Sequence, residues 1–192
     1  DRVGQVAGKA LAFGALAGGA ALVKMGQAAA DDEAAQVKLA KSLQNAAGAT
    51  KGQVAATESW ITAQGRALGV ADDDLRPALS RLAVATGDVD KAQRLASLGM
   101  DISAGTGKSL EAVTTALAKA QAGNLGGLGR LGIATKNADG STKSLQQITK
   151  ELADTYSGQA ATAAEATAGK QQKLRVQLSE LGESIGAVVL PA

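Results

Sequence analysis

Apolar residues recur every three or four positions along most of this chain, the spacing that places them on one face of an α-helix. Asp31 begins one such stretch with an acidic turn that suits a helix N-terminus, and Gly48 ends it. Thr50 begins the next stretch and Gly69 ends it. The pattern therefore predicts two helices here, separate from the Gly/Ala-rich block before Asp31. Their buried sides would carry Ala35, Leu39, Leu43 and Ala46, then Val54, Thr57, Ile61 and Leu68.

Shorter helices are predicted after residue 70, because glycines interrupt the pattern about every 15 residues. Asp88 is a candidate N-cap that follows a break at Gly87. Ser144 and Gln147 have the spacing of a capping box for a helix running to about Tyr156. Three amphipathic helices joined by tight turns between residues 71 and 123 predict a compact subdomain.

The last stretch, from Gln159 to Leu190, contains no proline and predicts one long helix. Its apolar residues recur at alternating spacings of four and three, which is the heptad pattern of a coiled-coil seam. Two interpretations stay open: the seam mediates self-association, or it packs onto the protein's own subdomain. The seam consists of Leu174, Leu178, Leu181, Ile185 and Val188.

The first block contains an uncharged run from Ala10 to Val23. Fourteen helical residues span about 21 Å, less than the roughly 30 Å of a bilayer core, so a single-pass anchor is not expected. Ala10, Gly14 and Gly18 lie four apart on one helix face, which predicts close helix packing or membrane contact. A signal peptide is the other interpretation, because cations precede the run and small residues follow it.

Composition adds to the helical prediction. Ala accounts for 43 of the 192 residues, and there are two prolines and three aromatic residues, which favours an all-α fold over a large sheet. Because alanine buries little area, we expect partner chains to contribute to stability. The chain begins without Met and ends on apolar residues, which we interpret as a fragment of a longer protein.

Charge and residue types exclude several kinds of function. The formal net charge is +2, so nothing global attracts nucleic acid, and we expect no specific nucleic-acid binding. The chain has no His and no Cys, which excludes histidine general bases, cysteine nucleophiles, disulfides and Cys/His zinc sites. Any catalysis would need carboxylates, Lys, Ser or Tyr. Because the motifs built from such residues lack the context that their chemistry requires, we predict no catalytic residues, no cofactor and no metal.

Two glycine clusters look like nucleotide-binding motifs but lack the required context. The segment Gly105–Ser109 ends in Gly-Lys-Ser, yet Ile102 stands where a phosphate-binding loop needs its first glycine. The segment Gly127–Gly132 matches G-x-G-x-x-G, although a predicted helix precedes it and a turn-rich segment follows it. We interpret the first as a helix end followed by a helix start, with Thr106 or Lys108 near the cap, and the second as a turn whose leucines pack. A nucleotide-dependent enzyme remains a minor alternative.

Three consecutive carboxylates, at residues 72–74, are the remaining candidate for a metal site. Neighbouring residues on a helix point in different directions, and the calcium-loop spacing is absent. We interpret these acids as the first turn of a helix, where negative charge is favourable.

An ordered series of short sequence blocks runs from about Gly69 to Ala192. The blocks are Leu75-Arg76-Pro77-Ala78-Leu79, Ala85-Thr86-Gly87-Asp88, Asp101-Ile102-Ser103-Ala104, Gly107-Lys108-Ser109-Leu110-Glu111, Leu117-Ala118-Lys119-Ala120, Leu131-Gly132-Ile133, Leu174 through Leu178, Glu180-Leu181-Gly182-Glu183, Ile185-Gly186 and Leu190-Pro191. This series resembles the tail tape measure proteins of long-tailed bacteriophages. Before Gly69 the likeness is one of composition only.

This resemblance implies a non-enzymatic virion protein that lies in the lumen of the tail tube as bundled helices. It further implies that the chain sets tail length, takes part in genome ejection, and has as partners other copies of itself, the tube and tip proteins and, transiently, the host membrane. We expect three regions: an extended helical region at 1–68, a compact helical subdomain at 69–157 and a long helix at 158–192. The alternative is a secreted or membrane-active helical protein that uses residues 10–23 for targeting or insertion.

Overall fold

The computed structural model describes the backbone of residues 2–189 and the side-chain surroundings of residues 24, 26–185 and 188. The described chain is all-helical and forms no strand, which confirms the predicted all-α class. An isolated antiparallel bridge joins Lys136 and Thr142. The helices are α1 (Arg2–Ala47), α2 (Lys51–Leu68), α3 (Asp72–Thr86), α4 (Val89–Thr106), α5 (Leu110–Gln121), α6 (Gly126–Arg130), α7 (Leu145–Tyr156), α8 (Gln159–Glu165) and α9 (Thr167–Val189).

The chain divides into two compact units. One consists of α1 up to Ala34 together with α9 from Leu178, and the other runs from Ala35 to Gln177. The second unit therefore begins well before residue 69, where the sequence placed the start of the compact region. Leu39 and Leu43 of α1 and Ile61 of α2 are buried in its core, which explains why it extends so far towards the N-terminus.

The core of the second unit consists of leucines separated by small residues. Helix α3 lies at its centre and packs against both α4 and α5. Close approach depends on small side chains: a Cβ added to Gly99 would lie 3.0 Å from the Thr114 Cγ2 atom. The side chains buried most completely are Leu39, Leu43, Ile61, Leu75, Leu79, Leu82, Ile102, Val113, Leu117, Leu128 and Ile148.

Helix ends follow the capping signals in the sequence. Ser144 and Gln147 form the predicted capping box at the start of α7, and the Asp88 carboxylate accepts a hydrogen bond from the Lys91 N–H at 2.8 Å. Gly69 and Gly87 end α2 and α3 in the left-handed conformation, at φ +72° and +64°. These predicted boundaries are confirmed. Each one depends on residues within a few positions of it, so the local sequence is enough to specify it.

The prediction that a separate helix begins at Asp31 was wrong. Helix α1 is continuous from Arg2 to Ala47. The acids at its middle are preceded by three alanines, which favour helix strongly, and neither proline nor left-handed glycine interrupts the chain there. Acidic residues favour a helix start but do not require one.

The prediction of one unbroken helix from Gln159 to Leu190 was also wrong. Ala166 adopts an extended conformation, with ψ 159°, between α8 and α9. The turn is tight, because a Cβ added to Gly169 would lie 2.6 Å from the Ala164 Cα atom. This break allows α8 to pack against α4 and α2 and to bury Ala160 and Ala164.

Candidate functional site

Among the residues whose side-chain surroundings the structure describes, α9 carries a row of five exposed large apolar side chains, the seam residues, which we call the α9 stripe. Their side chains keep between 42% and 81% of their surface exposed. Such a row of large apolar residues is typical of an interaction surface, because water contact with apolar area is unfavourable. The described chain therefore leaves this surface largely uncovered. The exposed residues are Leu174, Leu178, Leu181, Ile185 and Val188.

Heptad positions beside the α9 stripe carry little charge. Arg175 and Gly182 lie on one side of it, and Gln177 and Ser184 lie on the other. Charged residues at these positions usually determine partner choice and orientation in coiled coils. Helices that meet along this stripe would therefore associate through apolar contact and with little preference from flanking charges.

The three small residues of the N-terminal block, Ala10, Gly14 and Gly18, belong to helix α1. Their packing surroundings lie outside the described residues. Among the residues that the structure describes, no helix combines the length and apolarity required to cross a membrane.

The segment Gly105–Ser109 forms a helix end and a helix start, as predicted. Gly107 ends α4 at φ +69° and donates a hydrogen bond to the Ser103 carbonyl. Ser109 is the N-cap of α5, directly after Lys108, and its hydroxyl accepts a hydrogen bond from the Ala112 N–H at 3.2 Å. A helix enters this loop, whereas a phosphate-binding loop follows a strand.

The segment Gly127–Gly132 packs as a turn of helix. Leu128 of α6 is fully buried, while Leu125 and Leu131 are partly buried against the same core. A Cβ added to Gly127 would lie 3.2 Å from the Ala116 Cβ atom, so this glycine permits close packing of α6 on α5. The turn-rich segment that follows has no helix before α7, unlike a dinucleotide-binding motif.

The acids at residues 72–74 form the first turn of α3, as predicted. The structure adds an ion-pair cluster that the sequence did not predict. The Arg76 guanidinium lies 2.8 Å from an Asp72 carboxylate oxygen and 3.1 Å from a Glu58 carboxylate oxygen. Only 7% of the Arg76 side chain is exposed. This cluster joins α2 to α3 and acts in packing, because both carboxylates are engaged with the arginine.

Two surface clefts in the second unit have opposite charge. One, of about 670 Å³, has Asp74 and Glu111 among its lining residues, which come from the end of α2, from α3, α4, α5 and α8, and from the start of α9. The other, of about 620 Å³, lies between α4 and α7, with Lys91 and Arg94 at its edge. We call the second cleft the α4–α7 groove. Sequence patterns did not indicate either cleft, because both depend on how distant helices pack.

Two groups with a shifted pKa, Asp139 and Lys150, lie in local contacts at the protein surface. Hydrogen bonds from the Ser141 hydroxyl and N–H lower the pKa of Asp139 below its usual 3.8. A hydrogen bond to Asp154 raises the pKa of Lys150 above its usual 10.5. Both pairs are fully exposed, and neither adjoins a cluster of groups typical of a catalytic site.

Comparison with protein-family models, curated proteins and solved structures finds no match to this chain.

Proposed function

We propose that the chain is a non-enzymatic structural segment of a phage tail tape measure protein. In this role it lies in the tail tube lumen with other copies of itself, contributes to tail length, contacts the tube and tip proteins and takes part in genome ejection. The ordered blocks between Gly69 and Ala192 are the sequence support for this assignment. The all-helical fold is consistent with it.

The single observation that supports the proposal most strongly is the exposed α9 stripe. Leu178 and Leu181 keep 59% and 56% of their surface exposed on a helix of 23 residues. Isolated helices are marginal in water, and burial of an apolar face provides most helical stability in proteins. Other copies of this helix would bury the stripe, and its lightly charged flanks suit a bundle that has to separate at ejection.

The alanine-rich composition also suits a protein that has to leave the tail tube at genome ejection. Alanine-rich helices bury little apolar area per residue, so contacts between copies are individually weak. Weak contacts allow a bundle to assemble in a narrow tube and to leave it without breaking strong interfaces. We infer that catalysis has no part in this role, because the two glycine clusters and the acids at residues 72–74 serve helix ends or packing.

Self-association is tested by sedimentation velocity on the 192-residue chain over a range of concentrations. We expect oligomers that dissociate when Leu178 and Leu181 are both changed to Asp. The matched control is Val37→Asp with Val84→Asp, because these valines are 49% and 67% exposed but lie on α1 and α3. Circular dichroism verifies that each variant stays helical. An α9 variant that sediments like the unaltered chain would contradict the proposal.

The length-setting role is tested in the parent gene. An in-frame deletion of 21 residues inside α1 removes about 32 Å of helix at 1.5 Å per residue. We expect tails shorter by about that length in electron micrographs. Tails of unchanged length would refute the ruler role, and particles lacking the protein would refute the virion location.

A further inference from the structure

The α4–α7 groove has an apolar floor that the described chain does not cover. The floor consists of Leu95 and Leu98 from α4 and Leu145 and Ala153 from α7. Leu95 is buried, Leu98 and Leu145 are half-buried, and Ala153 is exposed. The groove has a volume of about 620 Å³.

The charge at the edge of the groove has one sign. Lys91 and Arg94 are exposed, lie three positions apart on α4 and so share a face. Neither side chain has an ion-pair partner among the described residues. Among the described residues that line the groove, none is a carboxylate. Two free cations beside an apolar floor favour a ligand that is apolar on one side and anionic at its edge.

Two acids lie near this edge but do not line the groove. The Asp88 carboxylate accepts a hydrogen bond from the Lys91 backbone N–H at 2.8 Å and caps α4. Asp90 is exposed and lies four positions before Arg94, but it makes no ion pair with Arg94 or Lys91 within 4 Å among the described residues. The N-terminal end of α4 adds a partial positive charge of its own close to Lys91.

We propose that the α4–α7 groove is a docking site for an acidic amphipathic helix of another protein. Leucine-like side chains of that helix lie on the floor between α4 and α7, and its carboxylates pair with Lys91 and Arg94. The groove opens at the surface between α4 and α7, so a helix lying there would keep its polar side in water. This inference is independent of the proposed function, because it concerns a different surface from the α9 stripe.

The probe is a synthetic fluorescein-labelled helical peptide with leucines at i, i+3, i+4 and i+7 and glutamates beside them. Fluorescence anisotropy with the full chain measures its Kd. We expect binding that weakens at high salt, because the rim pairs are exposed and screened. The same peptide with every Glu replaced by Gln should bind less tightly.

Charge variants at the rim identify the site. Lys91→Gln with Arg94→Gln should raise Kd about three- to tenfold, as expected for the loss of two exposed ion pairs. Lys51→Gln with Arg66→Gln is the matched control, since both residues are exposed cations on α2, and it should leave Kd unchanged. Equal loss in both double variants would overturn the proposal, because attraction would then be non-specific.

Blocking the floor gives a second, charge-independent test. Ala153→Phe should abolish peptide binding by filling the groove from an exposed position on α7. Ala63→Phe, at an exposed position on α2, is its control. Peptide binding that survives Ala153→Phe would overturn the proposal.

Two further measurements distinguish other occupants. If Ala153→Phe dissociates oligomers of the chain in sedimentation, a second copy occupies the groove and the proposal is wrong. If the chain binds phosphatidylglycerol vesicles and loses that binding with Lys91→Gln and Arg94→Gln, the groove recognises lipid and the proposal is again wrong. Failure of any of these tests leaves the α9 stripe, and with it the proposed function, unaffected.

Discussion

The Asp101 carboxylate accepts a hydrogen bond from the Ala160 N–H at 3.0 Å, across 59 positions of the chain. Ala160 lies in the first turn of α8, and Gly158, the N-cap of that helix, has no side chain to cap it. A residue of α4 therefore caps α8 from outside, where a carboxylate is also favoured by the helix dipole. This contact attaches the chain leading into α9 to the core of the second unit.

Asp101→Ala should lower the free energy of unfolding by about 1–2 kcal/mol, the usual cost of removing a helix cap. Urea denaturation followed by circular dichroism measures the change. Asp101→Asn keeps an acceptor oxygen and should recover part of the loss. Glu33→Ala, which removes an exposed acid on α1, is the control. If Asp101→Ala and Glu33→Ala unfold at the same urea concentration, the cap does not contribute.

Gly169→Ala should destabilise the turn between α8 and α9. An added Cβ would meet the Ala163 carbonyl oxygen and the Ala164 backbone, and backbone atoms cannot rotate away as a side chain can. We expect a loss of about 1–3 kcal/mol, as for other overpacked sites. Thermal or urea denaturation of the full chain measures it.

Gly129→Ala is the matched control for this substitution. Gly129 lies inside α6 with nothing within 4 Å of an added Cβ, so alanine should be neutral or raise stability by up to about 1 kcal/mol. If the two variants are equally stable, the turn is not tightly packed.

Local signals in the sequence predicted helix ends well and helix continuity poorly. The capping box of Ser144 and Gln147 is a contact between near neighbours, so its residues alone specify it. The break at Ala166 has no proline or left-handed glycine at it. It arises because α8 packs against α4 and α2, which are distant in sequence. Tertiary packing of this kind overrides helix propensity.

One candidate surface could be predicted from the sequence and the other could not. The α9 stripe was predicted because its five residues share one helix and one period. The α4–α7 groove was missed, since Lys91 and Leu145 become neighbours only after folding. Lys91 and Arg94 give no sequence signal for it, because Asp88 and Asp90 precede them at the helical pair spacings of three and four.

The Asp139 carboxylate should take up its proton at a lower pH than an ordinary aspartate. Ser141 donates to the Asp139 carboxylate through its hydroxyl at 2.6 Å and its N–H at 2.9 Å, and both bonds favour the charged form. The pKa of Asp139 is therefore below 3.8 in the folded chain. A lowered pKa means that this turn is favoured above pH 3.8 and loses that contribution as the pH falls through the folded value.

NMR titration of the Asp139 carboxyl carbon measures this pKa. Ser141→Ala removes the stronger of the two contacts and should move the pKa of Asp139 back towards 3.8. Ser179→Ala, on α9, is a control that should leave it unchanged. A pKa of Asp139 that is the same with and without the Ser141 hydroxyl would show that the hydrogen bond does not form in solution.

Arg76, Glu58 and Asp72 should contribute to the stability of the folded chain as one coupled ion-pair cluster. Arg76→Met removes the cation that faces Glu58 and Asp72, whose side chains are 24% and 18% exposed, and leaves two partly buried carboxylates uncompensated. We expect a loss of about 2–4 kcal/mol, close to the values known for breaking a buried pair from one side. Urea denaturation of the full chain measures it.

A double-mutant cycle separates the ion pair from general packing. The Glu58 Oε1 atom is buried and has no hydrogen-bond partner, so neutralising Glu58 once Arg76 is gone should relieve part of the penalty. Arg76→Met with Glu58→Gln should therefore be more stable than Arg76→Met alone by about 1 kcal/mol or more. If the two substitutions are simply additive, the ion pair between Arg76 and Glu58 does not contribute to stability.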